Sequence, residues 1–221
     1  MENSPSKTTR QLHDYLPAAG RDAFLPFYDL FTAALGVTKV HRTLIDQAAL
    51  APGARVLEIG CGTGNLTVRV KRTHPGVEII GSDPDPLALA RAGRKARGLS
   101  GIRFERGYAQ RLPYRDGSFD RVLSALMLHH LDAATKTAAA SEIARVLRPG
   151  GSLHLVDFAG EQHGLHGFLA HRVVKSGHLA GTGPDGIPAL LNAAGLECAE
   201  VASSRHPVMG RITYYRATLP T

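Results

Sequence analysis

The sequence predicts an α/β fold: a parallel β-sheet covered by helices on both faces. Three observations carry this. Short runs rich in Val, Ile and Leu recur between Arg55 and Phe158 and alternate with longer amphipathic stretches, the pattern of repeated strand–helix–strand units. The runs are nearly continuous in apolar residues, so the strands are expected to be buried on both faces. A glycine-rich turn, Gly60–Gly64, directly follows the first run, at the carboxyl end of a strand, where open α/β sheets bind ligands.

Residues 1–9 read as a disordered tail. Residues 10–50 read as an N-terminal helical cap, in which Phe24, Phe27, Tyr28 and Phe31 fall at i, i+3, i+4 and i+7 and share one face. That face either packs on the core or walls a substrate pocket; Tyr15, Phe27 and Tyr28 are the candidate substrate-side residues. The remaining domain, 51–221, begins with a strand at Arg55–Ile59 and a helix at Asn65–Arg72. Val77–Ser82 is the second strand, Pro86–Arg97 a helix, Ile102–Arg106 the third strand and Phe119–Ser124 the fourth. Ala133–Leu147 is a helix with Ala139, Ile143, Val146 and Leu147 on one face. "RPGG", Arg148–Gly151, ends it, because Pro cannot continue the helical ladder and Gly permits a tight turn. Ser152–Phe158 is the fifth strand. The alternation breaks after Gly160 and resumes with a helix at Ile187–Ala194 and strands at Glu197–Ser203 and Arg211–Thr218.

Composition bounds the function classes. With 221 residues, 43% of them hydrophobic and 20% charged, the chain suits one ordinary globular domain. No run of about 18 apolar residues exists, and the polar start "MENSPSKTTRQLHDYL" lacks the apolar core of a signal peptide, so a cytoplasmic location is expected. Two cysteines make no disulfide framework; Cys61 reads as a small residue that fits the glycine loop. The net charge of +7 comes from scattered Arg, and "RAGRKARG" (Arg91–Gly98) reads as the solvated side of a helix. Because the Arg and Lys form no long run, a nucleic-acid partner is not expected.

The loop "EIGCGTGN" departs from a dinucleotide cradle. The spacing G-x-G-x-x-G needs Gly or Ala at position 65, which is Asn65 here. Glu58 decides what the loop receives. A carboxylate would repel a pyrophosphate and attract an ammonium or sulfonium. Asp83 ends the second strand in "IIGSDPD", about 20 residues on, where an acid accepts both hydroxyls of a ribose. A ribose joined to a cationic amino-acid group, with no phosphate, describes S-adenosyl-L-methionine.

With these residues in view, the chain resembles the class I S-adenosylmethionine-dependent methyltransferases, in particular the small-molecule, ubiquinone/menaquinone-type subgroup. The resemblance runs from about Pro52 to Phe158. It rests on "VLEIGCGTG", "GSDPD", "FDRVLSALMLHHL" and "EIARVLRPGGSLHLVDF", in that order. It implies a Rossmann-like sheet of seven strands with the last antiparallel, and a substrate lid at about 159–186. It implies in-line methyl transfer to an O, S, N or C atom of a small molecule with an aromatic or apolar body, leaving S-adenosyl-L-homocysteine. The implied cofactor-binding residues are Glu58, Gly60, Cys61, Gly62, Thr63, Gly64, Asp83, Pro84, Ala125 and Leu126. One departure stands out. The family often has "GDA" after strand three, where the Asp meets the adenine amino group; here the segment is "GYAQRLPY", and Tyr108 replaces the acid. The Tyr108 ring or hydroxyl, Gln110, or the backbone N–H groups of Tyr108 and Ala109 are the alternative adenine contacts.

His129 and His130 in "LMLHHL" are the candidate bases, since histidine accepts protons near neutral pH; the alternative is that they pack the turn. His163, His166, His171 and His178 show no metal-ligand spacing, so no metal is expected. A methyltransferase acting on exocyclic base amines would carry an Asn/Asp-Pro-Pro-aromatic motif where "SALM" stands. A non-catalytic cofactor-binding domain stays open, because the loop and its acids argue only for binding.

Overall fold

Along the central strands, burial switches face at every residue, and this builds two cores. Val56, Ile79, Leu123, Val156 and Tyr214 belong to one apolar cluster, while their neighbours Leu57, Ile80, Val122, Leu155 and Tyr215 belong to the other. Period-two alternation with both sides apolar is what a sheet sandwiched between helices requires. The computed structural model describes residues 36–158, 186–206 and 210–221. Tyr15, Phe24, Phe27, Tyr28, Phe31, the four histidines of the expected lid, and the tail lie outside the described residues.

The elements are α1 (Val37–Ala48), β1 (Arg55–Ile59), α2 (Asn65–Thr73), β2 (Glu78–Asp83), α3 (Pro86–Lys95), β3 (Ile102–Arg106), β4 (Phe119–Ala125), a 3₁₀ turn (Leu128–His130), α4 (Ala133–Val146), β5 (Leu147–Phe158), α5 (Gly186–Ala193), β6 (Glu197–His206) and β7 (Gly210–Thr218). The seven strands form one sheet in the order β3-β2-β1-β4-β5-β7-β6. Strands β1 to β5 pair in parallel, and β7 runs antiparallel to both β5 and β6. The expected Rossmann-like sheet with its last strand reversed is therefore the observed one. Strand β1 has β2 on one side and β4 on the other, so the order reverses there and a crevice opens at the carboxyl ends of these strands.

Helices α1 and α2 cover one face through Val40, Leu44, Ile45, Leu66 and Val70. Helices α4 and α5 cover the other through Ala139, Ile143, Val146, Ile187 and Leu191. Each fully buried Leu or Ile of this kind contributes roughly 1.5–3 kcal/mol. Asp85 and Asp132 cap α3 and α4 by accepting from backbone N–H groups of the first turn. Among the described residues no helix is long and apolar enough to cross a membrane.

Two sequence expectations are corrected here. The segment Arg148–Gly151 does not stand outside the strands as a helix terminator. Helix α4 closes at Val146, Leu147 already pairs with Phe119, and the register slips before Arg121 meets Ser152. Gly150 takes φ 73° and its N–H donates to Leu219 O at 2.9 Å, so "RPGG" is a bulge within β5. Strand β2 starts at Glu78, one residue later than expected, and Asp83, expected to end it, is its last residue.

Candidate active site

The first functional side chain is placed by strand alternation. Leu57 and Ile59 point to the α4 side, so Glu58 points to the α2 side, where the Thr67 hydroxyl donates to its Oε2. Glu58 is buried. Burial, followed by the nearby Asp83 carboxylate, pushes its pKa up to about 8 against the opposing pull of the Thr67 bond. Glu58 is thus a buried acid whose pKa lies above the usual carboxylate range.

The glycine loop folds back on the end of β2. Gly60 N–H and Cys61 N–H both donate to Ser82 O, at 2.8 and 3.1 Å, and Gly64 N–H donates to Cys61 O at 2.8 Å. Gly62 N–H donates to Asp83 Oδ2 at 2.8 Å. A phosphate cradle presents such groups to its ligand; here four of them are already engaged. Gly60, Gly62 and Gly64 have φ of 73°, 50° and 76°, a region where a side chain is strained. A Cβ at Gly60 would clash with the Met127 side chain and one at Gly64 would meet Ala92 Cβ at 2.7 Å, whereas one at Gly62 would meet nothing within 4 Å. Gly62 is therefore the loop position where open space begins. Thr63 and Asn65 are held from behind by Lys95 Nζ, at 2.9 and 2.7 Å. Cys61 is buried and its thiol is pushed well up by burial and by Glu58 and Asp83, which fits a packing role.

Asp83 is also buried. Besides Gly62 N–H, it accepts from Asp85 N–H at 2.9 Å through Oδ1. Burial raises its pKa, opposed by these two backbone bonds. Each oxygen keeps acceptor capacity for a further donor. Beside it, Gly107 N–H donates to Asp83 O and Arg106 Nε to Pro84 O, both at 3.2 Å, tying the Gly107–Tyr114 segment to the end of β2. Tyr108 is half-buried. Its hydroxyl accepts from Arg106 Nη2 at 3.2 Å, with the guanidinium 5.9 Å from the ring centroid. Ala109 is buried and Gln110 exposed.

On the other side of β1 the chain leaves β4 through a strained residue. Ala125 ends the strand, and Leu126 has φ 54°, which costs about 1–2 kcal/mol for a residue with a Cβ. Leu126 N–H donates to Val156 O at 2.8 Å, and the Met127 side chain fills the space beside Gly60. Strain of this kind concentrates at functional sites. The 3₁₀ turn that follows presents His129 and His130 with ring centroids 3.9 Å apart. His130 is exposed. His129 is anchored by Asp157 at the end of β5: its Nδ1 lies 2.7 Å from Oδ1, and its backbone N–H donates to Oδ2 at 3.1 Å. Asp157 is 1% exposed.

The structure thus brings Glu58, the glycine loop, Asp83, Pro84, Tyr108, Ala109, Ala125, Leu126 and His129 to the carboxyl ends of the parallel strands. Sequence reading missed Thr67, Arg106, Met127 and Asp157. Only Asp157 left a signal: like Glu58 and Asp83, it is an acid at the end of a buried apolar run.

Comparison with known proteins agrees with this geometry. A family model described as a methyltransferase domain matches residues 56–151. The chain is 37% identical over 153 residues to a demethylmenaquinone methyltransferase of Thermus thermophilus, covering 67% of this chain and 68% of that protein. The chain belongs to the class I S-adenosylmethionine-dependent methyltransferases. It is also 44% identical over 147 residues to a demethylmenaquinone methyltransferase of Deinococcus radiodurans. That match covers 64% of this chain and spans 60% of the length of that relative. Among solved structures, the [4+2]-cyclase SpnF shares the methyltransferase fold, with a TM-score of 0.68 at 22% identity over 83% of this chain and 80% of that one.

Proposed function

We propose that this protein is an enzyme that binds S-adenosyl-L-methionine in the crevice over β1 and transfers its methyl group in line to a small molecule with an aromatic, quinol-like body. One observation carries the cofactor reading. The glycine loop has its N–H groups engaged on Ser82 and Asp83 and has the acid Glu58 behind it. Such a loop suits a cationic amino-acid group and disfavours a phosphate. The bound cofactor supplies an electrophilic methyl group on a sulfonium that is already a leaving group. The chain supplies placement. Gly62 admits close approach, with Gly60, Cys61, Thr63 and Gly64 shaping the loop. Asp83 takes the ribose hydroxyls, Pro84 and Tyr108 flank the adenine with Ala109 and Gln110 beside them, and Ala125 and Leu126 line the methionine end.

The names of the two relatives support a quinol-type acceptor. Tyr15, Phe27 and Tyr28 are assigned to the acceptor side from the sequence alone, as aromatic residues concentrated ahead of β1.

A shared fold does not by itself specify a reaction, as the cyclase neighbour illustrates. The test therefore has two parts. Calorimetry is expected to show binding of S-adenosylmethionine and S-adenosylhomocysteine at about 8 kcal/mol, the micromolar range, and none of NAD. NAD binding without S-adenosylmethionine binding would overturn the site. Release of S-adenosylhomocysteine with a panel of phenols, naphthoquinols, thiols and amines then separates an enzyme from a domain that only binds.

A further inference from the structure

The contact between His129 and Asp157 is more than a staple between a turn and a strand. Asp157 is almost fully buried, yet its Oδ1 accepts from Phe158 N–H at 2.8 Å and faces His129 Nδ1 at 2.7 Å, while its Oδ2 accepts from His129 N–H. A buried carboxylate against one ring nitrogen favours a proton on that nitrogen and leaves the other as a lone-pair acceptor. No described residue hydrogen-bonds His129 Nε2. The ring keeps 15% of its side-chain surface exposed. Its position is fixed on three sides: the Phe158 ring, with centroids 4.7 Å apart, the His130 ring, and a turn whose Met127 abuts Gly60 of the glycine loop. The imidazole therefore stands beside the methyl-transfer end of the crevice, held rigidly.

We propose that Asp157 is a positioning residue that holds His129 with its proton on Nδ1, so that Nε2 removes the proton of a hydroxyl-bearing aromatic acceptor. This inference rests on the methyltransferase reading and narrows it. A thiol has a pKa of about 8.5 and partly ionises unaided near neutral pH, whereas a phenol near 10 needs a base. The carboxylate that touches the imidazole has both oxygens engaged, and the ring is flanked by Phe158, which suits an uncharged acceptor over an ammonium. The step balances as follows. The acceptor O–H bond breaks and its proton goes to Nε2. The freed electron pair, on oxygen or through a conjugated ring carbon, forms the new bond to the methyl carbon. The electron pair of the broken C–S bond stays on sulfur. The imidazolium then loses its proton to water.

The test begins without any acceptor. Long-range ¹H–¹⁵N spectra of the ¹⁵N-histidine-labelled, ligand-free protein are expected to show the neutral His129 ring protonated on Nδ1. A ring protonated on Nε2 would overturn the inference. Turnover of the acceptor panel should then favour phenols and naphthoquinols. His129→Gln and Asp157→Asn should each lower kcat at least tenfold, with the S-adenosylhomocysteine Kd within threefold of the wild type. Asp157→Asn keeps an oxygen for only one of the two backbone N–H groups and sets an amide N–H against the other, so it should melt lower than the wild type while still binding S-adenosylhomocysteine; a purely structural Asp157 would leave kcat unmoved in the folded variant, and that result sinks the proposal. Turnover confined to thiols or amines, or none for any hydroxyl acceptor while S-adenosylhomocysteine binds, sinks it as well. Failure to bind S-adenosylhomocysteine at all takes down the cofactor reading too, which distinguishes the two.

Discussion

Glu58→Gln is the substitution that asks most directly whether the crevice is built for a cation. In the ligand-free protein, burial holds the Glu58 pKa up at about 8. At pH 7 the carboxyl is then about 90% protonated. An ammonium or sulfonium placed against it favours the carboxylate, so binding should release about 0.9 proton per ligand at pH 7. Ionising an acid one unit below its pKa costs about 1.4 kcal/mol, so affinity should rise about tenfold between pH 6 and 7 as that cost falls. Calorimetric titration of S-adenosylhomocysteine in two buffers of different ionisation enthalpy reads the proton number as the slope of observed enthalpy. Glu58→Gln retains an acceptor for the Thr67 hydroxyl, cannot ionise, and should bring the slope to about zero. The same shift has a stability sign. A carboxyl whose folded pKa is raised stabilises the fold fully below its unfolded value near 4.5, and that contribution is lost as pH rises through about 8. The Gln variant should therefore melt higher than the wild type at pH 9. Measurable binding with no proton release in the wild type, or a Gln variant with the full slope, would refute the reasoning.

Asp83→Ala should weaken S-adenosylhomocysteine binding by about 1.5–3 kcal/mol. It should also lower stability by roughly 1–3 kcal/mol, because Gly62 N–H and Asp85 N–H lose their acceptor; calorimetry and urea unfolding read the two effects separately. Gly64→Ala and Gly62→Ala form a contrasting pair. The first adds a clash with Ala92 and Phe104 to a left-handed backbone and should cost about 2–4 kcal/mol of stability. The second meets open space, should cost about 1–2 kcal/mol, and should lose ligand affinity instead. The buried His41 and His154 are each pushed down to about 4, chiefly by burial and then by neighbouring Arg charges. Their neutral forms stabilise the fold above pH 6.5, and this is lost as pH falls towards 4. His154→Gln should flatten part of that acid loss in urea unfolding at pH 7 against pH 4.5.

Strand existence, strand direction and the acids that end the strands were legible in the sequence, for a local reason. An apolar run of about five residues bounded by Gly, Pro or Asp can be buried in few other ways. A glycine triplet after such a run needs close backbone approach whatever surrounds it. So the parallel sheet, the loop Gly60–Gly64 and the pair Glu58 and Asp83 follow from residue order alone. What only the tertiary structure decided depends on contacts between distant segments. Arg148–Gly151 reads as a helix stop until Leu147 is seen paired with Phe119 across the sheet. Asp83 reads as a free ribose acceptor until Gly62, 21 residues earlier, is seen donating to it. Glu58 reads as an ordinary carboxylate until its burial beside Thr67 is seen to push its pKa up. His129 gains its direction from Asp157, 28 residues on. Sequence order carries local conformational preference and burial period; hydrogen-bond partners and protonation states belong to the three-dimensional packing that sets dielectric and distance.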